Sequence, residues 1–220
     1  MTEQATRRTP LTRERVLDGA MTVADRSGLA ALTMRSLADE LGVKPMSLYH
    51  HVANKEAILD GLVERVFAQV DLPRVGADWR GEIRRRSHSL RAALRRHRWA
   101  IGVMESRTSP GPATLRHHDA VIGTLRAGGF SVAMTAHAFS AIDAYVYGFA
   151  LQEATLPFQS PDEVPEMAGS MLAAMPVNDY PHFVEMAREH VLQPGYDFGE
   201  EFDFGLDLVL DGLARRAADH

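Results

Sequence analysis

The chain has no cysteine among its 220 residues. That absence excludes disulfide bonds, thiol catalysis and cysteine-ligated zinc or iron–sulfur centres. No apolar run approaches the ~18 residues that a membrane-spanning helix requires. The opening "MTEQATRRTPLTRERV" also lacks the apolar block of a secretory signal. We therefore expect a cytoplasmic protein.

Sequence motifs typical of enzymes are missing as well. The chain contains no G-x-S-x-G, H-E-x-x-H, G-x-x-x-x-G-K or G-x-G-x-x-G pattern. Its ten histidines include no pair at i and i+4, the spacing that would place two imidazoles on one face of a helix. The sequence therefore predicts no enzyme, no metal site and no resident cofactor.

Charge is unevenly distributed along the chain, although the net value is only −5. Residues 74–98 carry nine arginines and a net charge of +7, whereas residues 153–211 carry −12. The first 52 residues hold seven basic and six acidic side chains. The overall acidity therefore does not argue against a nucleic-acid partner for the first 52 residues. The arginine run at 80–98 could touch DNA, but we interpret it as a solvated face, for which the acidic C-terminal half offers counter-charges.

Alternating apolar and polar residues, the signature of strands, are also absent, and helical spacing occurs nearly everywhere. We predict an all-α protein with a break at 71–78, "DLPRVGAD". Thr12, Thr33 and Asn54 are predicted helix caps, and Gly42 a left-handed helix end. Predicted helices span about 12–27, 33–41, 45–51, 54–70, 79–97, 99–106, 112–127, 132–155, 162–174, 180–193 and 197–217.

The segment "LADELGVKPMSLYHHV" has the layout of a helix-turn-helix. Gly42 would end the first helix, and Pro45 would begin a second one that is too short to be stable alone. Val43 and Leu48 would anchor this second helix, leaving its polar side chains exposed for the DNA major groove. A solvated face on a small helical bundle is the alternative, and spacing alone leaves both open.

The stretch "TRERVLDGAMTVADRSGLAALTMRSLADELGVKPMSLYHHVANKEAILDGL" strongly resembles the N-terminal domain of TetR-family transcriptional regulators. "DWRGEIRRRSHSLRAALRRHR", "GGFSVAMTAHAFSAIDAYVYGFALQE" and "FDFGLDLVLDGL" resemble the core and dimerisation helices of the family's tetracycline-repressor branch. The resemblance covers most of the chain and is loose between residues 156 and 196.

This resemblance implies a homodimeric all-helical repressor that binds a palindromic operator and releases it when a small molecule binds. The implied domains are 1–52 for DNA binding, 53–70 as a connecting helix and 71–220 for ligand binding and dimerisation. Pro45 and Met46 depart from the tetracycline repressor at base-reading positions. The predicted DNA-contacting residues are Thr33, Arg35, Lys44, Pro45, Met46, Ser47, Tyr49, His50, His51 and Lys55.

Two apolar helices, 132–155 and 197–217, are predicted to form the four-helix bundle of a two-fold dimer. Core packing within one chain is the alternative for any such stripe. The predicted dimer contacts are Phe202, Leu206, Val209 and Leu213.

A ligand pocket is predicted in the C-terminal half. His118 is placed on an apolar stripe with Leu115, Ile122 and Leu125, where a core histidine competes with a ligand contact. Asp143 needs a partner, which could be an arginine such as Arg107 or an effector. The candidate ligand-binding residues are Leu90, Met104, Arg107, His118, Phe139, Ile142, Asp143 and Tyr147.

The tetracycline repressor uses imidazoles to bind the metal chelated by its drug. By the resemblance those positions fall near Met104 and Ala144, and a nearby acidic position falls at Gln152. None of these is an ionised or imidazole ligand for magnesium. We therefore expect an apolar or aromatic effector, bound without metal. A ligand-independent architectural DNA binder is the rival function.

Overall fold

The computed structural model describes residues 10–157 and 163–218, and within them it contains helices and no strand. The all-α prediction is confirmed. The described residues form ten α-helices, which are α1 Arg13–Ala31, α2 Met34–Leu41, α3 Pro45–Leu48, α4 Lys55–Phe67, α5 Trp79–Arg96, α6 Pro112–Ala127, α7 Val132–Thr155, α8 Val164–Ala174, α9 Pro181–Met186 and α10 Glu201–Ala218. Shorter 3₁₀ turns span Arg98–Gly102, Met104–Ser106, Val177–Asp179 and Phe198–Glu200.

Helix boundaries follow the predicted caps at the N-terminal end of the chain. The Thr12 side chain accepts a hydrogen bond from the Arg15 N–H, and the Asn54 side chain accepts one from the Ala57 N–H. The first helix, however, is longer than predicted. It continues to Ala31 through a kink at Gly28. The φ of Gly28 is 75°, a conformation that glycine adopts without strain because it has no Cβ. Predicted helix 180–193 is instead a short α-helix that continues as one π-helical turn, Ala187–Val191.

The described chain separates into two compact units, one up to Phe139 and one from Ser140 onward. This geometric division differs from the predicted functional domains, whose boundaries stay predictions. In the first unit, helices α1 to α4 share one apolar core. Val16, Ala20, Leu37, Leu48 and Leu62 are each fully buried in it. The short α3 is therefore held by its neighbours rather than by its own hydrogen bonds.

Aromatic rings form the centre of the second unit. Phe149 stacks on Phe198 with ring centroids 4.9 Å apart and meets Phe202 edge-on at 5.1 Å. The Tyr145 hydroxyl donates to the Phe202 carbonyl at 2.9 Å. A Cβ at Gly205 would lie 2.7 Å from a ring carbon of Tyr145, so this helix approaches the tyrosine closely only because position 205 is glycine.

Burial on α10 separates two apolar stripes. Phe202 and Leu206 are fully buried within the unit and Leu213 nearly so, whereas Val209 is half-buried. Core packing, the alternative for the predicted dimer contacts, thus accounts for three of the four residues. Phe204 and Leu208, which are not among the predicted dimer contacts, are 67% and 60% exposed. The dimer itself stays a prediction.

Candidate nucleic-acid interface and ligand site

The α2–turn–α3 geometry is built by local hydrogen bonds. Thr33 and Ser36 form a reciprocal capping box at the start of α2. Gly42 ends that helix with φ 66° and ψ 36°, a left-handed conformation, and the Val43 N–H returns to the Ala38 carbonyl at 3.0 Å. These bonds set the angle at which α3 leaves α2.

Helix α3 has one buried anchor and an exposed outer face. Leu48 is fully buried, whereas Met46 is 72% and Tyr49 47% exposed. Met46 and Tyr49 are thus both available to a partner on a helix that the buried Leu48 holds in place, as the recognition helix of a helix-turn-helix requires. Of the other predicted DNA contacts, Thr33, Arg35, Lys44, Pro45 and His50 are exposed, and Ser47 and His51 are half-buried.

Lys55 differs from the other predicted contacts. Its ammonium Nζ lies 3.4 Å from the Leu29 carbonyl, which draws the side chain back towards the end of α1. This long hydrogen bond is weak, and the lysine stem has enough freedom to turn outward. Its predicted role as a DNA-backbone contact stays a prediction.

Helix α4 follows the predicted DNA-contacting helix α3 in the chain, and ion pairs connect it to α1 and to the loop at Arg107. Arg65 binds the carboxylates of Glu14 and Asp18 on α1, the former at 2.6 Å. Arg107 binds Asp60 at 2.6 Å and Glu56 at 2.8 Å, so the loop after the 3₁₀ turns is tied to α4. Charge-assisted contacts of this length are stronger than neutral hydrogen bonds.

Glu64, near the end of α4, caps another helix. Its carboxylate accepts the Ala113 N–H at 2.7 Å, and it accepts both the N–H, at 2.9 Å, and the hydroxyl, at 2.5 Å, of Thr114. Burial opposes ionisation of the carboxyl, but the hydrogen bonds from Thr114 and Ala113 outweigh it, so the pKa of Glu64 is lowered. The carboxylate thus replaces the cap that Gly111 cannot supply to α6.

A cavity of about 120 Å³ lies between α4, the 104–111 loop and the start of α6. Three of the predicted ligand-binding residues, Met104, Arg107 and His118, line this cavity. Asp60 and Glu64 line it as well. The structure therefore brings part of the predicted ligand set together beside α4.

The predicted apolar stripe on α6 is wrong at Leu115 and Ile122, whereas Leu125 is fully buried as predicted. Leu115 and Ile122 are 54% and 43% exposed, and His118 is half-buried. The inward stripe is rotated by about one residue and contains Thr114, His117 and Val121. Thr114 and His117 are polar, so in the sequence the buried stripe resembles a solvent-exposed face. For this reason His117 was not predicted as a site residue.

His117 is fully buried and contacts three side chains. The Arg86 Nε–H donates to His117 Nε2 at 2.9 Å, and the rings of Phe67 and His118 lie with centroids 4.9 Å and 5.6 Å from that of His117. Burial first, and then the charge of Arg86, lower the pKa of His117 to about 2. This imidazole is therefore neutral at any physiological pH.

The remaining predicted ligand residues are described by their burial. Leu90 on α5 is fully buried, and Phe139 meets the His118 ring edge-on at 5.4 Å. On α7, Ile142 is fully buried, Asp143 is 7% exposed and Tyr147 is half-buried. Their contact with an effector stays a prediction.

Two side chains of the arginine-rich stretch form ion pairs with acidic residues that are near in sequence. Arg74 and Arg85 both bind the carboxylate of Glu82, at 2.6 Å and 2.7 Å, and Arg85 also reaches Asp71. Hydrogen bonds from Arg74, and then from Arg85, lower the pKa of Glu82 to about 2. Within residues 10–157 and 163–218, no group of three or more acidic or histidine side chains could hold a metal ion, and no helix is long and apolar enough to cross a membrane.

An exposed short helix anchored after a glycine turn defines a helix-turn-helix protein. Residues 16–62 match the family model for bacterial regulatory proteins of the tetR family, and residues 72–217 match the tetracyclin repressor-like C-terminal domain. The chain belongs to the TetR family of transcriptional regulators.

Individual relatives agree with this assignment over nearly the whole chain. A helix-turn-helix transcriptional regulator of Saccharopolyspora erythraea is 32% identical over 98% of this chain and 90% of its own length. The transcriptional repressor DrrR1 of Streptomyces coeruleorubidus is 33% identical over 92% of this chain and 77% of its own. The crystal structure of ActR from Streptomyces coelicolor in complex with actinorhodin superposes with a TM-score of 0.76 at 28% identity, covering 95% of this chain and 99% of ActR.

Proposed function

We propose that the chain is a repressor that binds a palindromic operator as a homodimer and releases it when an aromatic effector binds without metal. The observation that carries the proposal is the outer face of α3, where Met46 and Tyr49 are exposed although Leu48 beneath them is fully buried. A methionine and a tyrosine suit thymine methyls and phosphate oxygens in a major groove.

Two copies of the chain are required by this reading. One four-residue helix contacts only a few base pairs, and regulators with this motif pair two half-sites about one helical turn apart. Exposed apolar side chains on one unit supply candidates for the dimer contact. Leu151, Phe204 and Leu208 are 53%, 67% and 60% exposed, which supports their burial against a second copy.

Release of DNA is proposed to start beside α4. The cavity at the start of α6 touches Asp60 and Glu64 on that helix, and Arg107 reaches α4 from the opposite wall. A ligand that displaces or tightens these contacts would shift α4, which begins only a few residues after α3. Coupling of about 1–3 kcal/mol between effector and operator would change operator affinity roughly 5–150-fold.

Effector chemistry is inferred from the cavity and from a relative. ActR has been crystallised with actinorhodin, and the cavity in the present chain includes Met104 and Val63 as apolar surface. By the resemblance, the metal-binding positions of the tetracycline repressor fall near Met104, Ala144 and Gln152, none of which is an imidazole or a carboxylate, and this supports an effector bound without magnesium.

Selection of operator fragments from genomic DNA, followed by gel shifts with aromatic compounds, tests the proposal. We expect one palindromic fragment to be retained, and a subset of compounds to release it equally well with and without EDTA. Retention that no compound weakens would support the architectural DNA binder instead. Release that requires magnesium would contradict the metal-free effector, and failure to retain any fragment would contradict DNA binding.

A further inference from the structure

The buried His117 presents a hydrogen-bond donor that has no acceptor. An arginine can only donate, so the 2.9 Å contact from Arg86 Nε makes His117 Nε2 an acceptor. A neutral imidazole carries one proton, which must then lie on Nδ1. This Nδ1 atom is buried and has no hydrogen-bond partner among the described residues. The hydrogen bond from Arg86 therefore fixes the Nδ1–H tautomer of His117, whose N–H is free to donate to an acceptor.

Such a donor is costly to leave unmet. A buried polar group without a partner loses its hydration and gains nothing in return, and native proteins rarely keep one without a reason. Because His117 is fully buried, its pKa is lowered to about 2, and its ring becomes charged only well below physiological pH. Protonation therefore does not provide an alternative to an acceptor.

His118 links the surroundings of this donor to the cavity, because its ring centroid lies 5.6 Å from that of His117 and its side chain lines the cavity. The Phe67 ring meets His118 edge-on at 5.5 Å, and Phe139 meets His118 edge-on at 5.4 Å. The Nε2 atom of His118 is also buried, and it has no hydrogen-bond partner within the described part of the chain. Aromatic side chains prefer edge-to-face or offset-stacked contacts with other rings, so they favour an aromatic ligand at this site.

Cavity size limits what can enter. An apolar cavity of about 150 Å³ accommodates benzene. The cavity beside His118 measures about 120 Å³, so it limits what enters to about one ring of a larger molecule, and Asp60, Glu64 and Arg107 make part of its wall charged. A fragment that combines one aromatic ring with an oxygen acceptor satisfies both the ring environment and the donor.

We propose that His117 Nδ1–H binds a carbonyl or phenolate oxygen on the aromatic effector, with Arg86 as the positioning residue that fixes the donor tautomer. The inference deepens the proposed function, because it names the polar group by which the same regulator would recognise its effector. It assigns a binding role to a residue that is buried, neutral and outside the residue set predicted from the sequence.

Two single-ring probes of nearly identical planar shape test the donor. Acetophenone carries a carbonyl oxygen, and α-methylstyrene carries a methylene group in the same place. Affinities of both are measured by NMR titration for the wild type, for His117→Phe and for the matched control His137→Phe, which changes an exposed histidine in the same way. The preference for acetophenone should fall by about fivefold or more in His117→Phe and stay unchanged in the control.

A second measurement does not depend on a stable variant. Long-range ¹H–¹⁵N spectra of the wild type distinguish the two imidazole tautomers, and acetophenone should shift the Nδ1–H signal of His117. An Nε2–H tautomer, an equal preference in wild type and His117→Phe, or a wild type that binds neither probe would overturn the inference. Operator retention is measured separately, so loss of DNA binding with an intact probe preference would fault the proposed function and leave the His117 donor standing.

Discussion

Glu64 on α4 accepts the backbone N–H of Ala113 at 2.7 Å, and by this contact one helix caps the beginning of another. Capping usually comes from the residue just before a helix. Here the cap comes from 49 residues earlier in the chain. The position of α6 therefore depends on α4, the helix that follows the predicted DNA-contacting residues.

Removal of this cap should destabilise the fold. Glu64→Ala leaves the first N–H groups of α6 without an acceptor, and we expect a loss of about 1 kcal/mol in the free energy of unfolding, measured with urea. Glu105→Ala is the matched control, because Glu105 lines the same cavity and is exposed. It should change the free energy by less than about 0.5 kcal/mol. Equal losses in both variants would show that the cap contributes nothing specific.

The exposed apolar stripe on α10 should be the dimer contact. Leu208→Arg places a charge on a side chain that is 60% exposed in one copy, so it should yield folded monomers in light scattering. Leu206→Ala serves as the contrast. Leu206 is fully buried, so this change should cost about 2–5 kcal/mol of stability and leave the folded fraction dimeric. A dimer that survives Leu208→Arg would exclude this face.

Acid stability should depend on Glu82. Its pKa is lowered from 4.5 to about 2 by Arg74 and Arg85, so the folded state binds a proton less readily than the unfolded state. The stabilising effect is present above pH 4.5 and is lost as the pH falls towards 2. The difference in melting temperature between wild type and Glu82→Gln should therefore shrink across that interval. A difference that is constant with pH would contradict the ion-pair account.

The helix caps at the N-terminal end were predicted correctly from the sequence, whereas the buried faces of some later helices were not. Thr12, Thr33, Asn54 and Gly42 act at helix ends as expected, because a cap depends on a few neighbouring residues. Which face of a helix is buried depends on the helices that pack against it, and these can be distant in the sequence.

Helices α6 and α10 illustrate the difficulty. Each carries apolar residues on more than one stripe, so Leu115 and Ile122 were expected inside and are exposed, while Phe204 and Leu208 were overlooked. His117 and Glu64 escaped prediction for a related reason. Their roles rest on partners 31 and 49–50 residues away along the chain.

The central claim is that the outer face of α3 binds the operator, and fluorescence anisotropy with the selected operator tests it most directly. Tyr49 is 47% exposed, so Tyr49→Ala should leave the melting temperature nearly unchanged. It should weaken operator binding about tenfold or more, by loss of a phosphate or base contact worth ~1–3 kcal/mol. Wild type and variant are compared at the same salt concentrations, since phosphate contacts make affinity salt-dependent. Equal operator affinity for wild type and Tyr49→Ala, at matched salt and with both proteins folded, would contradict the account.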